Sequence, residues 1–551
     1  METRRFILAL SLSLLVFLVY VRFFAPKPPE HPVQPASKEV SAEKKARPEP
    51  PTAPGPVFTS TIGGREIVIE TDLVSAVVNT AGGVITKWEL KKFRGAVHEE
   101  TGIKALYKKI IGKGSEKSKK EPGNVQLLPP AARGRANIAW PLSLIPLEKA
   151  LSGVATAEYR ANESRITLSK DRDSATLVLT YSGPRGIYIE KSLTFRNNDY
   201  RVDVKVETRN IGGYALSLGS DFGIADKLSQ DAAGRVGLAA RVDGSTVFDK
   251  IAKIKAETRH IGRIAWFGQH DKYFAAALLI DGQGVVSAFK EPGTSETGDI
   301  LTSSFIVEEG SGARNFGLFA GPKSYNMLQS YGKELEKLVD YGWFGILAKP
   351  MFWLLRQFFI VTHNYGIAII MLTIVVRLLL FYPSLKSAMA MEEMKALQPE
   401  LNAIREKYKK DPQRMNQEMM RLYKEKKVNP LGGCLPMILQ LPFFVALYNV
   451  LNVSIELRQA TFISFWIKDL SVHDPYYILP ILMGLSMIVT MKMTSTATDP
   501  SQQKMFMIMN ILFIFLFAWL PAGLLLYITV SNILSIVQQL IVRKMIAAPA
   551  A

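Results

Sequence analysis

The chain has 551 residues, room for two or three domains. It is 48% hydrophobic yet 21% charged, with 67 Lys and Arg against 49 Asp and Glu for a net charge of +18. That mixture is too apolar for a wholly soluble protein and too charged for a wholly embedded one. Cys434 is the single cysteine, which excludes an internal disulfide and a cysteine-built metal site. The positive charge is spread rather than clustered with aromatics, so it favours anionic lipid and a positive-inside bias over direct nucleic-acid binding.

An apolar run, Phe6 to Val21, follows Arg4 and Arg5 and ends at Arg22. Phe23, Phe24, Ala25 and Pro26 offer no small-residue cleavage site, so residues 1–25 read as an uncleaved transmembrane anchor with a cytoplasmic N-terminus. A cleaved signal peptide is the rival reading. Residues 26–56 hold ten prolines among Lys and Glu and form an extended linker.

Residues 57–335 carry period-two alternation at Ile67-Val68-Ile69, Arg165 to Leu168, Ala175 to Tyr181, Ile187 to Phe195 and Tyr200 to Thr208. Turn signals such as Gly82-Gly83, Gly183-Pro184 and Gly212-Gly213 separate them. The expectation is a large β-sandwich, with Lys104 to Lys120 as a loop.

Residues 336–360 are rich in Trp and Phe but carry Lys349, Pro350 and Arg356, the pattern of an interfacial amphipathic helix. Apolar blocks follow at about 361–382, 431–452, 475–491 and 505–542, and Pro521-Ala522-Gly523 divides the last into two. With the anchor this predicts six spans, the last five forming a core over 361–551. Loop 384–428 carries eleven Lys and Arg, loop 453–474 only two, and loop 492–504 two. Both termini and the most basic loop then face the cytoplasm, and the β domain faces the periplasm. The fold class expected is a polytopic α-helical membrane protein with a large periplasmic β domain.

Enzyme chemistry has no foothold in the sequence. Gly317 to Ser324 resembles a phosphate loop but lacks its spacing and Gly-Lys pair, and the six histidines have no metal-ligand spacing. No nucleophile motif is present, so no catalytic residue, metal or cofactor is assigned.

The membrane blocks contain no Asp or Glu and one basic residue at depth, Arg377. A charge there costs at least ~2.5–3.5 kcal/mol on insertion scales and usually faces a polar cavity. Snorkelling to the cytoplasmic face is the alternative, since Pro383 lies six residues on. Thr373 shares its helix face, and Gln440, Ser531 and Asn532 lie at similar depth in other spans. These groups are expected to meet in the cytoplasmic half of the bilayer; ordinary interhelix hydrogen bonding is their plainer role. Loop 384–428 reads as a hairpin of two charged helices broken at Asp411-Pro412. Methionines 389, 391, 394, 415, 419 and 420 lie along it and suit adaptable contact with apolar segments.

Thr362 to Gly366, Asn429 to Pro436, Val453 to Gln459, Asp474 to Gly484 and Pro521 to Asn532 occur in an order that resembles the YidC/Oxa/Alb family in its Gram-negative YidC form. The resemblance runs from about 340 to 543. It implies a five-helix membrane protein insertase around a hydrophilic groove, open to the cytoplasm and laterally to lipid but closed to the outside. Arg377 would be the groove arginine, with Thr373 on the substrate-facing side. Leu441, Phe444, Leu516, Tyr527 and Ile528 would fall on its apolar slide. Some relatives have two tyrosines where this chain has Tyr527 and Ile528, so an aromatic contact at 528 is not carried over. The periplasmic domain resembles a sugar-binding-type super-sandwich in fold alone. Implied partners are nascent membrane proteins, the SecYEG translocon, the ribosome and signal recognition machinery. A secondary transporter or channel would want coupling carboxylates or internal repeats, and neither is seen. A pure assembly chaperone for a translocon remains the second competitor.

Overall fold

The structure, a computed structural model, describes residues 63–95, 123–128, 138–225, 236–254, 257–293, 298–426, 428, 435–494 and 500–547. The expected N-terminal anchor, the proline-rich linker, the Lys104 to Lys120 loop and Cys434 lie outside the described residues.

The β domain is two stacked sheets, one of five strands and one of twelve among the described residues. The long central strands show why alternation makes a sandwich. In Tyr188–Arg196 the residues Ile189, Lys191, Leu193 and Phe195 are buried and their neighbours half-exposed; in Arg201–Arg209 the same holds for Val202, Val204, Val206 and Thr208. These two strands pair antiparallel with Val206 opposite Lys191, so the inward residues share one face. Trp88, from the five-stranded sheet, is fully buried and donates its indole N–H to Ala320 O of the other sheet at 3.0 Å. Each strand expected from alternation overlaps an observed one, from Glu66–Glu70 to Arg201–Arg209.

The packed unit runs past residue 335. Leu335 and Leu338, in a short 3-10 turn, are fully buried, and Trp266 Nε1 donates to Lys333 O at 3.1 Å. Arg241 pairs with Glu334 beside it. Lys333, Glu334, Glu336 and Lys337 surround this closing turn with charge, and the expected domain boundary at 335 cuts through it.

Ten helices follow among the described residues. α1 (Tyr325–Ser330) leaves the last strand, and α2 (Gly345–Thr362) buries Ala348, Met351, Phe352 and Leu355 while exposing Ile346, Trp353 and Ile360. α3 (Tyr365–Leu379) starts at Asn364, whose side-chain oxygen accepts from the Gly366 and Ile367 N–H groups. α4 (Phe381–Ala396), α5 (Gln398–Lys407) and α6 (Pro412–Glu425) form the charged hairpin. α7 (Leu435–Val453), α8 (Ile478–Thr494), α9 (Pro500–Phe517) and α10 (Ala522–Ala547) complete the core. α2 packs on α3 and α7, α10 packs on α3 and α8, and α9 packs chiefly on α8.

Two expectations change in detail. The hairpin holds three helices, because the chain breaks at Leu397, just ahead of Pro399, as well as at Asp411. Its arms close on Leu397, Leu401 and Leu422, with Met419 packed against them; Met394 is buried, and Met389 and Met420 are exposed. Against six expected spans, one described helix is long and apolar enough to cross a membrane, Ala522–Val542. A second crossing is possible in length if α3 and α4 count together, but they bend by 64° at Leu380. Leu439–Val453, Ile478–Met493 and Met507–Phe517 are apolar but shorter.

Candidate functional site: a polar cluster among α3, α7 and α10

Three helices each deliver one polar side chain to a single point. Arg377 of α3 donates through Nε to Ser531 Oγ at 3.0 Å and through Nη2 to Ser531 Oγ and O, both at 2.7 Å. Gln440 of α7 donates through Nε2 to the same Ser531 Oγ at 3.0 Å. Ser531 lies on α10 and is almost fully buried. A serine oxygen offers two lone pairs, so three donor atoms compete for them. Among the described residues no carboxylate acts on Arg377.

The depths agree. At 1.5 Å rise per residue, Arg377 stands roughly 18 Å from the Tyr365 end of α3, Gln440 roughly 20 Å from the Val453 end of α7, and Ser531 roughly 14 Å from the Ala522 end of α10. Those three ends lie on one side of the core, because the chain between α7 and α8 touches all of them. Asn364 Nδ2 donates to Phe462 O at 2.9 Å, and the Ala522 and Gly523 N–H groups donate to Val472 O and Leu470 O at 2.7 and 3.0 Å.

A second layer sits one helical turn nearer that side, since each cluster residue has a partner four residues away on its own helix face. Thr373 is fully buried and donates to Ile369 O at 2.6 Å. Phe444 and Tyr527 approach with ring centroids 6.4 Å apart. The Tyr527 hydroxyl lies beside Gln440 and Ser531 without a hydrogen bond of good geometry. The polar cluster is thus roofed by an aromatic pair and a methyl-bearing threonine.

Not every expected residue joins. Asn532 Nδ2 donates instead to Ser486 Oγ on α8, at 3.1 Å. One residue along a helix is about 100° around it, so Ser531 and Asn532 cannot serve the same neighbour. Leu441 and Leu516 lie on exposed faces, and Ile528 is half-buried against the core. Ser486, which the sequence reading missed, is buried and ties α8 to α10. Its signal was a polar residue among apolar ones, four residues ahead of Thr490 in Ile478–Thr494.

Outside the core, the same end of the molecule is closed by the β domain. Arg458 Nη2 donates to Arg94 O at 2.6 Å, and Ser324 Oγ donates to Glu456 Oε1 at 3.0 Å. Burial raises the Glu456 carboxyl above the usual carboxylate range. Among the described residues no cluster of three or more His, Cys, Asp or Glu has the arrangement to hold a metal ion.

A helical core with a buried polar layer, joined to a β-sandwich at one end, matches two family descriptions in tandem. Residues 114–354 match "YidC periplasmic domain", and residues 357–549 match "60Kd inner membrane protein". The chain is 32% identical over 559 aligned residues to "Membrane protein insertase YidC" of Geobacter metallireducens, covering 99% of each protein. It is 35% identical to the protein of that name from Geotalea uraniireducens, covering 98% of this chain and 99% of that one. Among solved structures it is similar to "Active YidC insertase crystal structure with the first transmembrane domain resolved", at 18% identity and a TM-score of 0.37 over 88% of this chain and 94% of that one. The chain belongs to the YidC family of membrane protein insertases, bacterial inner-membrane proteins with a periplasmic domain.

Proposed function

We propose that this chain receives the polar tail of a client membrane protein at Arg377 and releases the client's apolar segment sideways into lipid. The observation that carries the reading is the convergence of Arg377 and Gln440 on one over-subscribed acceptor, Ser531. A carboxylate or carbonyl entering the cluster offers the acceptors that Ser531 cannot supply. Burying such a polar tail without a partner would cost several kcal/mol, so the cluster lowers that cost. Phe444 and Tyr527 roof the cluster on the periplasmic side, which keeps the path from continuing as a pore. Leu441, Ile528 and Leu516 extend an apolar face along which the segment moves, driven by transfer of about 20 apolar residues from water to hydrocarbon. No nucleotide is needed.

The same reading has six spans with both termini cytoplasmic, nascent membrane proteins as clients, and use either alone or beside the Sec translocon, ribosome and signal recognition machinery. The charged hairpin stands at the cytoplasmic mouth and receives clients early. The topology is tested in a Cys434→Ser background: an impermeant maleimide added outside should label a cysteine at Ser60 and spare one at Gln413, and the reverse pattern would overturn it.

The groove reading is tested with one client carrying zero, one or two acidic residues in its translocated tail. Arg377→Lys should keep most insertion, since the charge rather than a bidentate geometry is used. Arg377→Ala should cost acidic tails about tenfold, the equivalent of ~1.4 kcal/mol, and neutral tails less. Arg377→Glu should be worst for acidic tails, because attraction becomes repulsion. Equal loss for every tail at matched abundance would leave Arg377 a packing residue.

A further inference from the structure

The charged hairpin meets the core chiefly through α4. That helix packs on α3, α7 and α10, whereas α5 and α6 pack chiefly on each other and on the end of α4. The two arms hold together as one piece: Leu397, Leu401 and Leu422 form a small core between them, and Lys426 pairs with Glu400 across it at 3.1 Å. Whatever holds the last turn of α4 therefore sets where the arms stand. The first turn is tied to α10, since Gln538 Nε2 donates to Phe381 O at 3.4 Å. Lys395 lies in the last turn, two residues ahead of the break at Leu397. Its ammonium donates to Glu392 Oε1 at 2.8 Å and to Met493 O near the end of α8. The last carbonyls of a helix have no partner within it and form the negative end of its dipole, so a lysine there acts as a cap. The pair is partly shielded from water, with Lys395 19% and Glu392 27% exposed. Lys395 also lines a small cavity with Gln539 of α10, whose side-chain oxygen is buried without a hydrogen bond. An ammonium has three N–H groups and the described bonds use two, so Gln539 offers a further acceptor beside it.

We propose that Lys395 is a positioning residue for client capture: it clamps the last turn of α4 to the end of α8, beside α10, and so fixes the angle at which the hairpin stands over the groove mouth. The arms amplify any slack. α6 is roughly 21 Å long, so a tilt of about 20° at Leu397 would move its far end by about 7 Å. Lys395 spends its described bonds on groups of the chain itself, so its charge holds the hairpin rather than attracting a client. The inference rests on the reading of the hairpin as an early receiver of clients, but the clamp itself does not. The β domain takes no part in it.

The test uses the full chain carrying Cys434→Ser, with spin labels on Gln413→Cys in the hairpin and Val537→Cys on an exposed face of α10. In lipid nanodiscs, Lys395→Ala should broaden the distribution of label-to-label distances about twofold, because the arms then swing at Leu397. In proteoliposomes with a purified client, the half-saturating client concentration should rise about fivefold while the maximal rate changes by less than about twofold, since capture is impaired and the Arg377 cluster is untouched. The shift should be the same for neutral and acidic tails. Lys395→Arg keeps the charge and the donors and should restore both readouts. Glu392→Gln weakens the pair but leaves the bond to Met493 O. It should show the same pattern more weakly, and it covers the case in which Lys395→Ala does not accumulate. Unchanged distances in both variants overturn the proposal, as does a fall in maximal rate without a shift in half-saturation. Broadened distances with unchanged half-saturation overturn it too, and a chain shortened around Asp411-Pro412 then locates the failure. Normal insertion by that chain sinks the receiving role of the hairpin, whereas poor insertion keeps that role and removes only the clamp.

Discussion

Two cations, one fully buried and one part-buried, are satisfied in opposite ways. Lys191, inside the β domain, is fully buried and donates to three main-chain carbonyls, Gly82 O and Leu142 O at 2.7 Å and Gly83 O at 3.2 Å. The Tyr159 ring lies 4.9 Å from its ammonium. Three donors meet three fixed acceptors, and burial pushes the lysine down to about 7. Arg377, in the core, spends its described bonds on one serine that also serves Gln440. The first arrangement is closed and has no capacity for a ligand. The second is short of acceptors, and in the function proposed above that shortage is what an incoming polar tail relieves. Burial of a charge is therefore a poor guide to function by itself; the count of donors against acceptors separates a staple from a receiver.

That contrast breaks most visibly at Lys191. Lys191→Met leaves three buried carbonyls without donors, and the β domain should lose on the order of 3 kcal/mol or more. Denaturant midpoints read from tryptophan fluorescence would show it, and the fraction still folded should insert clients normally. A loss under about 1 kcal/mol would mean that the site relaxes or takes up water, and the staple reading would fall.

A smaller effect sharpens the other half. Gln440→Leu removes one competitor for Ser531 Oγ and should hold Arg377 more firmly to the serine. Insertion of acidic tails should then fall about threefold, the equivalent of one weak hydrogen bond, although no charge has changed. If insertion rises instead, competition at Ser531 does not govern the release of Arg377.

What could be read ahead of the structure divides along physical lines. Strands such as Glu66–Glu70 and Tyr188–Arg196 were legible because burial on one face imposes a two-residue period. The meeting of Arg377, Gln440 and Ser531 was legible because unpaired polar groups in apolar helices have to find one another. Asn532 was misassigned to the cluster because depth along a helix says nothing of azimuth. Ser486 was passed over because a small polar residue in an apolar run has several ways to be satisfied locally; it does donate to its own helix at Met483 O. The closing turn at Leu335 and Leu338 was hidden by the charges around it, and the break at Leu397 by a helical pattern continuous on both sides. The docking of Arg458 on Arg94 joins residues 364 apart in sequence, and local periodicity carries no trace of such a contact.

The smallest effect concerns a part-buried base in the β domain. His270 is held down to about 3, first by burial and then by the Lys323 ammonium nearby, while its Nδ1 lies 3.3 Å from Asp271 O. In the unfolded chain the same imidazole titrates near 6.5. Below that pH the unfolded state binds a proton that the native state refuses, so stability falls as pH drops and keeps falling toward pH 3. Asp271 next to it is raised by burial, which works in the opposite direction, but the wild type and a His270 variant both carry it, so its contribution cancels in their difference. The window from pH 6.5 to 5.5 therefore isolates the histidine. Across it the wild-type β domain should lose roughly 1 kcal/mol more than His270→Gln, whose side chain cannot be protonated there. Denaturant midpoints of both proteins at the two pH values measure this difference, and contributions from the other histidines cancel in it. Parallel pH dependence in the two proteins would show that His270 takes up its proton inside the folded domain, and that its packing against Phe248 yields without unfolding.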